Sequence, residues 1–394
     1  MGKIKFYTAL IAARIIYLGI KLLNKSAGTS FVGMTVLKIC PDFLGYCSKY
    51  IKKKNITVTG TNGKTTTAGL AAHILKTASQ SVINNVKGAN MLTGIANVFA
   101  LNLRPLRRFD YSVIECDEAY LTKLYDYIKS DYLIVTNLFR DQLDRYGELD
   151  TTAKLIKDAI KKNPDLKLIL NADDPLVADF GSLAEHVYYG LENSADYTAE
   201  VKVYDDYSEL KVTHCAETFD FKISLQGRYN AYNALAAIAF AFENGLSQQE
   251  IQKAFDTYKS IFGRTEKRII NGHPAVIQLI KNPAGASEVL KTVDLNSNIV
   301  IAINDNFADG RDVSWLWDAE FERIKDARKL VVTSGTRAGD MAVRLKYAGI
   351  PPEKIIIEPS IRKAVEIAAK ACNNDKITIL PSYTVLLKLQ QLKG

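Results

Sequence analysis

Seven consecutive residues, Gly60-Thr61-Asn62-Gly63-Lys64-Thr65-Thr66, carry the strongest chemical signal in the chain. They follow a β-branched stretch, Ile56 to Thr59, and open a helical pattern, Thr65 to Lys76. A glycine-rich turn between strand and helix lets backbone N–H groups close on phosphate oxygens, and the helix N-terminus adds partial positive charge. Lys64 can neutralise β- and γ-phosphates, and the Thr65 hydroxyl can reach a magnesium ion. A helix cap beside a lysine would not require two glycines, a lysine and a threonine in this order. Only two residues separate Gly60 from Gly63-Lys64, which departs from the common P-loop spacing. As a loop residue, Lys64 is expected to be mostly solvated.

A second cluster, Glu115-Cys116-Asp117-Glu118, ends the apolar run Tyr111 to Glu115. In open α/β sheets such strand ends face the ligand crevice. Carboxylates there suit a hard magnesium ion. Alone they would read as a solvated strand end; beside a phosphate loop the metal reading is the better one.

These residues need a scaffold of strands ending side by side. Tyr132 to Thr136 and Leu166 to Leu170 read as further buried parallel strands, with a helix at Asp150 to Lys161 between them. The alternation predicts an α/β fold with a doubly wound, mostly parallel sheet. Shorter, polar-alternating stretches at Leu210 to Thr213 and Phe219 to Ile223 predict a small antiparallel part, followed by an alanine-rich helix from Asn230 to Glu243. A second, Rossmann-like α/β domain is predicted beyond Arg264. Its strands are Ala275 to Ile280, Asn298 to Ile303, Lys329 to Thr333 and Lys376 to Leu380. Its helices are Glu320 to Arg328, Ala338 to Ala348 and Arg362 to Ala371. The chain has 394 residues, more than one core usually organises. Three parts are expected: an N-terminal helical segment (1–49), a central ATP-binding domain (50–263) and a C-terminal α/β domain (264–394).

GTNGKTT resembles the phosphate loop of the Mur ligase superfamily, which also includes folylpolyglutamate synthases. The resemblance implies ATP and Mg2+ as cofactors and an acyl phosphate mechanism. It matches Glu115 to the metal ligand and Gly60, Thr61, Asn62, Gly63, Lys64, Thr65 and Thr66 to the ATP loop. Asn171-Ala172-Asp173-Asp174-Pro175 resembles the superfamily's turn near the nucleotide, which implicates Asn171 and Asp173. Gly227 to Ala234 resembles its glycine–aromatic–asparagine helix start, which implicates Asn230 and Asn233, although both would serve equally as capping residues. Gly263-Arg264-Thr265-Glu266 resembles the motif joining the two domains, whose arginine reaches the γ-phosphate. Where the superfamily usually carries a histidine near a second metal, this chain has Gln142, a poorer ligand that leaves the number of metal ions open.

The C-terminal unit narrows the resemblance. The usual Asp-Tyr-Ala-His-x-Pro start reads here Gln278-Leu279-Ile280-Lys281-Asn282-Pro283, so the aspartate and histidine are gone. Asn304 to Asp318, a polar and aromatic run after an apolar strand, resembles the C-terminal domain of the MurT family, as do Gly88-Ala89-Asn90 and the segment Arg140 to Glu148. That family provides synthetase subunits of lipid II isoglutaminyl synthase. The resemblance implies a GatD-like glutamine amidotransferase partner, lipid II as substrate, and amidation of the α-carboxyl of its D-glutamate in peptidoglycan biosynthesis. It matches Asp312 to the aspartate that completes the partner's cysteine–histidine pair, with Asp309 as the fallback. By residue chemistry alone both are turn residues. Many relatives carry a four-cysteine zinc ribbon in the central domain. This chain has only Cys116 and Cys215 within 50–263, too few to supply four cysteine ligands, so no zinc is expected.

Two other functions compete: a stand-alone amino-acid ligase of the Mur or folylpolyglutamate type, and a nucleotide-binding scaffold without turnover. Loss of the aspartate–histidine motif argues against the first, and the intact loop against the second.

Composition sets outer bounds. Charged residues make up 24% and the net charge is +8, moderately basic, with no nucleic-acid motif behind it. Lys52-Lys53-Lys54 reads as a solvated cluster before a strand. Five cysteines without CxxC spacing fit a reducing, cytoplasmic setting. Phe6 to Leu23 is apolar but interrupted by Arg14 and Lys21. This is an amphipathic helix, docked either on the protein or on the inner membrane surface.

Overall fold

The computed structural model describes residues 2–22, 29–85, 89–104, 107–139, 149–204, 207–259, 266–270, 272–371 and 376–389. Two compact units divide the chain, Met1–Leu138 with Leu149–Lys259 in the first and Phe139–Glu148 with Ser260–Gly394 in the second.

The first unit opens with helices α1 (Gly2–Leu22), α2 (Thr29–Ile39) and α3 (Phe43–Ser48). Then follow β1 (Ile51–Thr59), α4 (Lys64–Thr77), β2 (Val82–Asn84), α5 (Leu92–Asn102), β3 (Phe109–Glu115), α6 (Glu118–Leu124) and β4 (Tyr132–Val135). After α7 (Leu149–Lys161) come β5 (Lys167–Asn171), β6 (His186–Gly190), β7 (Tyr197–Val203), β8 (Ser208–His214) and β9 (Glu217–Ile223). Helices α8 (Arg228–Glu243) and α9 (Gln248–Thr257) close the unit. All nine strands form one sheet, ordered β2-β3-β1-β4-β5-β6-β7-β8-β9. It is parallel through β7 and antiparallel from β7 to β9.

Alternation along the buried strands feeds two cores. Leu133 and Val135 of β4 join the core that takes in α1, α2, α5 and α7, whereas Ile134 joins the core under α4 and α8. Burial on both faces is what a crossover-connected parallel sheet requires. Register places the functional loops together. Val58 of β1 pairs with Glu115 of β3 and with Ile134 of β4. The three loops leaving β1, β3 and β4 therefore emerge at one level, where the strand order reverses, the crevice in which such sheets bind ligands.

The second unit has a six-stranded sheet ordered β10-β11-β15-β12-β13-β14. Its strands are β10 (Glu266–Ile270), β11 (His273–Ile277), β12 (Asn298–Ala302), β13 (Val331–Ser334), β14 (Ile355–Ile357) and β15 (Ile377–Pro381). Only the β10–β11 pair is antiparallel.

The structure corrects two local expectations. Lys52 to Lys54 lie within β1, not before it; a register shift between Ile51 and Lys54 accommodates them. The helix predicted over Glu320 to Arg328 is only a short 3₁₀ turn, Phe321–Ile324. Its buried apolar residues, Phe321, Ile324 and Ala327, repeat every three positions, which is the 3₁₀ period and not the α period. Cys215 and Ala216 form the tight turn between β8 and β9, at φ of 50° and 64°. The boundary residues Phe262 and Gly263 lie outside the described residues.

Candidate nucleotide and metal site

The loop after β1 is held in shape by the loop after β4. Thr61 N–H donates to the Asn137 carbonyl at 2.8 Å. Asn62 N–H donates to Asn137 Oδ1 at 2.9 Å, and the Thr136 hydroxyl donates to the Asn62 carbonyl at 2.6 Å. Two glycines make this closeness feasible. Gly60 has φ of 118°, and a Cβ there would lie 2.3 Å from Thr136 Oγ1 and 2.8 Å from the Asn137 carbonyl oxygen. Gly63 has φ of 86°, and a Cβ would lie 2.1 Å from Asn233 Oδ1. Gly63→Ala should therefore strain the backbone and push Asn233 away. Affinity for ADP, read by titration calorimetry, should fall about tenfold or more while the fold persists, since about 1–3 kcal/mol of local strain is involved. Adding Asn233→Ala should recover part of the loss.

Lys64 is buried, contrary to the solvated loop lysine expected from sequence. Its Nζ donates to Glu118 Oε1 at 2.9 Å and also to the Gly60 carbonyl. Burial works against its charge, but Glu118, Asp117 and Glu115 outweigh it and hold the ammonium above the ordinary lysine range. Glu118 is buried too; burial pushes its carboxyl up, and Lys64 opposes that. Glu118 Oε1 also accepts from Gly60 N–H at 3.0 Å. A carboxylate oxygen thus sits between the loop amide and the lysine, an arrangement that also suits a phosphate oxygen.

Glu115 lies at the end of β3 with its backbone pinned. Its N–H donates to Asn85 Oδ1 at 2.8 Å, and its carbonyl accepts from Asn85 Nδ2 at 2.7 Å. Glu115 Oε1 accepts from Asn90 Nδ2 at 3.2 Å. Glu115 Oε2 is buried and meets no hydrogen-bond partner among the described residues. A buried carboxylate oxygen left without a donor is costly unless a cation completes it. Hard oxygen donors are also what magnesium takes, so the residues present fit that ion. Thr65 lies in the first turn of α4.

The other candidates are placed differently. Asn171 Nδ2 donates to the Thr136 carbonyl at 2.9 Å, tying the β5 end to the β4 loop. Asp173 accepts from the N–H groups of Leu191, Glu192 and Asn193 and from the Tyr232 hydroxyl, so its carboxylate shapes the neighbouring loop. Asn230 and Asn233 are buried at the start of α8. Asn233 Oδ1 accepts from the Thr67 hydroxyl at 3.3 Å and Asn230 Nδ2 donates to the Gln226 carbonyl at 2.7 Å. Asn233 thus ties α8 to the phosphate-loop helix, and its Nδ2 donates to Asn230 Oδ1 at 3.3 Å. Arg264, Gln142 and Gly88 lie outside the described residues. Sequence reasoning assigned no role to Asn137 or Asn90 and passed over Asn85. An asparagine directly after a strand or in a loop is a common turn residue, so only their contacts reveal them.

In the second unit, the loop after β12 folds against the end of β15. Asp309 is buried; it accepts from Thr384 N–H at 2.7 Å and from the Thr384 hydroxyl at 2.5 Å. Asp312 is half-buried and accepts from Ser314 N–H at 2.8 Å, opening a 3₁₀ turn, Ser314–Trp317. Asn282 caps the helix α10 (Pro283–Leu290) through Gly285 N–H.

The family described as MurT ligase C-terminal matches residues 279–386, and the Mur ligase middle domain matches residues 58–241. The lipid II isoglutaminyl synthase (glutamine-hydrolyzing) subunit MurT of Streptococcus pneumoniae is 34% identical over 93% of this chain and 92% of its own. The protein of the same name from Staphylococcus aureus strain COL is 34% identical over 93% of each chain. Among solved structures, MurF from Acinetobacter baumannii shares the fold at a TM-score of 0.73 and 17% identity, over 92% of this chain and 81% of that one.

Proposed function

Because the chain belongs to the MurT family of Mur ligase-like proteins, we propose that it is the ATP-dependent synthetase subunit of a lipid II isoglutaminyl synthase, amidating the α-carboxyl of the stem-peptide D-glutamate. The observation that carries this reading is the phosphate loop closed on the buried Lys64–Glu118 pair, at the strand end that also carries the buried Glu115, in a chain whose second unit matches the MurT C-terminal family.

In this reading the loop amides and Lys64 hold the β- and γ-phosphates of ATP, and Arg264 is the residue that the family resemblance matches to a further γ-phosphate contact. Glu115 and Thr65 would hold magnesium, which offsets charge on the transferred phosphoryl group. A substrate carboxylate oxygen attacks the γ-phosphorus and ADP leaves, forming an acyl phosphate. Ammonia then attacks the acyl carbon, the C–O bond to phosphate breaks, and the added nitrogen loses a proton. Lys64, held above the ordinary lysine range by its carboxylate neighbours, enters the reaction as a cation. Ammonia comes from a GatD-like glutamine amidotransferase, whose cysteine–histidine pair Asp312 completes. The family resemblance matches Asp312 to that task, with Asp309, which Thr384 engages through both oxygens, as the fallback. No helix among the described residues is long and apolar enough to cross a membrane, so a lipid-linked substrate would bring the chain to the inner membrane surface as a peripheral protein.

Glu115→Ala should lower magnesium-dependent turnover far more than nucleotide affinity, by about 10²-fold or more, the scale for loss of a group that positions a catalytic charge. Parallel kinetics and ADP titration check this; a crippled Glu118→Ala with a healthy Glu115→Ala would move the ligand role. The function as a whole is tested with the purified chain, ATP, lipid II, free ammonium and a mixture of amino acids. The amide should form without any amino acid being joined. Condensation of an amino acid instead would favour the stand-alone ligase.

A further inference from the structure

The N-terminal helix α1 has two apolar faces, and the fold uses one. Phe6, Ala9, Leu10 and Ala13 are buried against the core that includes α2 and α5. Ile4, Tyr7, Ile11, Ile15, Leu18 and Leu22 are 41–86% exposed. At 100° per residue these six fall within an arc of about 80°, roughly opposite the buried face. A scatter of exposed apolar residues needs no explanation, but a stripe running the length of a 21-residue helix does. Helix α2, packed beside α1, exposes Phe31 and Met34 as well.

Charge identifies the occupant. Residues 1–41 contain six lysines and arginines and no acid; Asp42 is the first. Lys3, Lys5, Lys21 and Lys38 are exposed, while Arg14 is turned to the Leu103 carbonyl at the end of α5. A helix with an apolar stripe, flanking lysines and no acids has the chemistry of one lying in the interface of an anionic bilayer. A protein partner would more often be met with charges of both signs.

We propose that the exposed face of α1 is a docking surface for anionic phospholipid, holding the first unit flat on the membrane. For its purpose the inference rests on the lipid-linked substrate proposed above. Helix α5, on which α1 packs, begins two residues after Asn90, whose side chain bonds Glu115. Docking would therefore fix the ATP site one helix layer from the bilayer.

The test uses the full chain assembled with its amidotransferase partner, in flotation on phosphatidylglycerol and on phosphatidylcholine vesicles. The wild-type complex should float with phosphatidylglycerol, weakly with phosphatidylcholine, and less at high salt. Ile11→Ser/Ile15→Ser/Leu18→Ser should lower the bound fraction about tenfold or more, since three buried apolar side chains are lost. All three positions are exposed, so the variant should fold, and ammonium-dependent amidation of a soluble stem peptide without the polyprenyl tail should stay at the wild-type rate. Equal flotation of variant and wild type would overturn the proposal. So would a wild type that ignores both vesicles, or one that pairs with a second copy through this face and becomes monomeric in the variant. If flotation behaves as expected and the soluble peptide is never amidated, the enzymatic reading fails and the docking surface stands.

Discussion

Lys64→Ala is expected to abolish amidation, lowering turnover by about 10³-fold or more, because a phosphoryl-transfer site loses its fixed cation. The structure adds a second effect. Lys64 and Glu118 are both buried and bonded to each other. Removing the lysine leaves a buried carboxylate without its cation, held by backbone N–H groups such as that of Gly60. Breaking a buried pair this way costs about 3 kcal/mol, so the variant should melt at a lower temperature. The cost also depends on pH. Without Lys64, the Glu118 carboxyl is raised further, so the folded state holds a proton that the unfolded state releases. Stability of the variant should then fall as pH rises above the ordinary glutamate range. The double variant Lys64→Ala/Glu118→Gln should regain most of the stability, lose the pH dependence and remain inactive. Thermal melts at two pH values, beside phosphate-release kinetics, separate the effects. A single variant as stable and as active as wild type would remove both the buried pair and the ATP loop from the account.

Asp312→Asn is expected to split two activities. If its carboxylate orients a partner histidine and steadies the imidazolium, the asparagine keeps shape but loses charge. In the serine protease triad the same change costs about 10⁴-fold. A cysteine nucleophile, intrinsically stronger, should suffer less. Glutamine-dependent amidation should fall steeply, and amidation with free ammonium should continue near the wild-type rate. Asparagine can still accept from Ser314 N–H, so the turn should survive. Loss of both activities would point to folding; a split seen instead in Asp309→Asn would transfer the role. Asp309→Asn is more prone to disturb the loop, because Thr384 bonds both of its oxygens.

The sheet that carries the ATP loop was legible because its strands are buried on both faces and read as plain apolar runs. The phosphate loop and the acidic strand end stood out for the same reason: polar groups at the ends of apolar runs are visible in one dimension. What stayed hidden depends on contacts between distant segments. Nothing local marks Asn137 as the clamp on Thr61 and Asn62, or Asn85 and Asn90 as the supports of Glu115. The burial of Lys64 escaped notice because Glu118, its partner, lies 54 positions away. Strand β1 starts earlier than its apolar pattern because three lysines occupy its first half. The docking of α1 was foreseen as one of two alternatives, and the structure buries one face on the protein and leaves an apolar stripe on the other.

The central claim is that this chain spends ATP to place glutamine-derived nitrogen on a carboxylate. The most direct measurement supplies the purified complex with lipid II, ATP and glutamine carrying heavy nitrogen in its amide. The label should appear in the carboxamide at the α-carboxyl of the stem-peptide D-glutamate, with one ADP and one phosphate formed per amide and none without ATP. Labelled glutamine joined whole to the substrate, or ATP hydrolysed with the label released only as ammonia, would contradict the account.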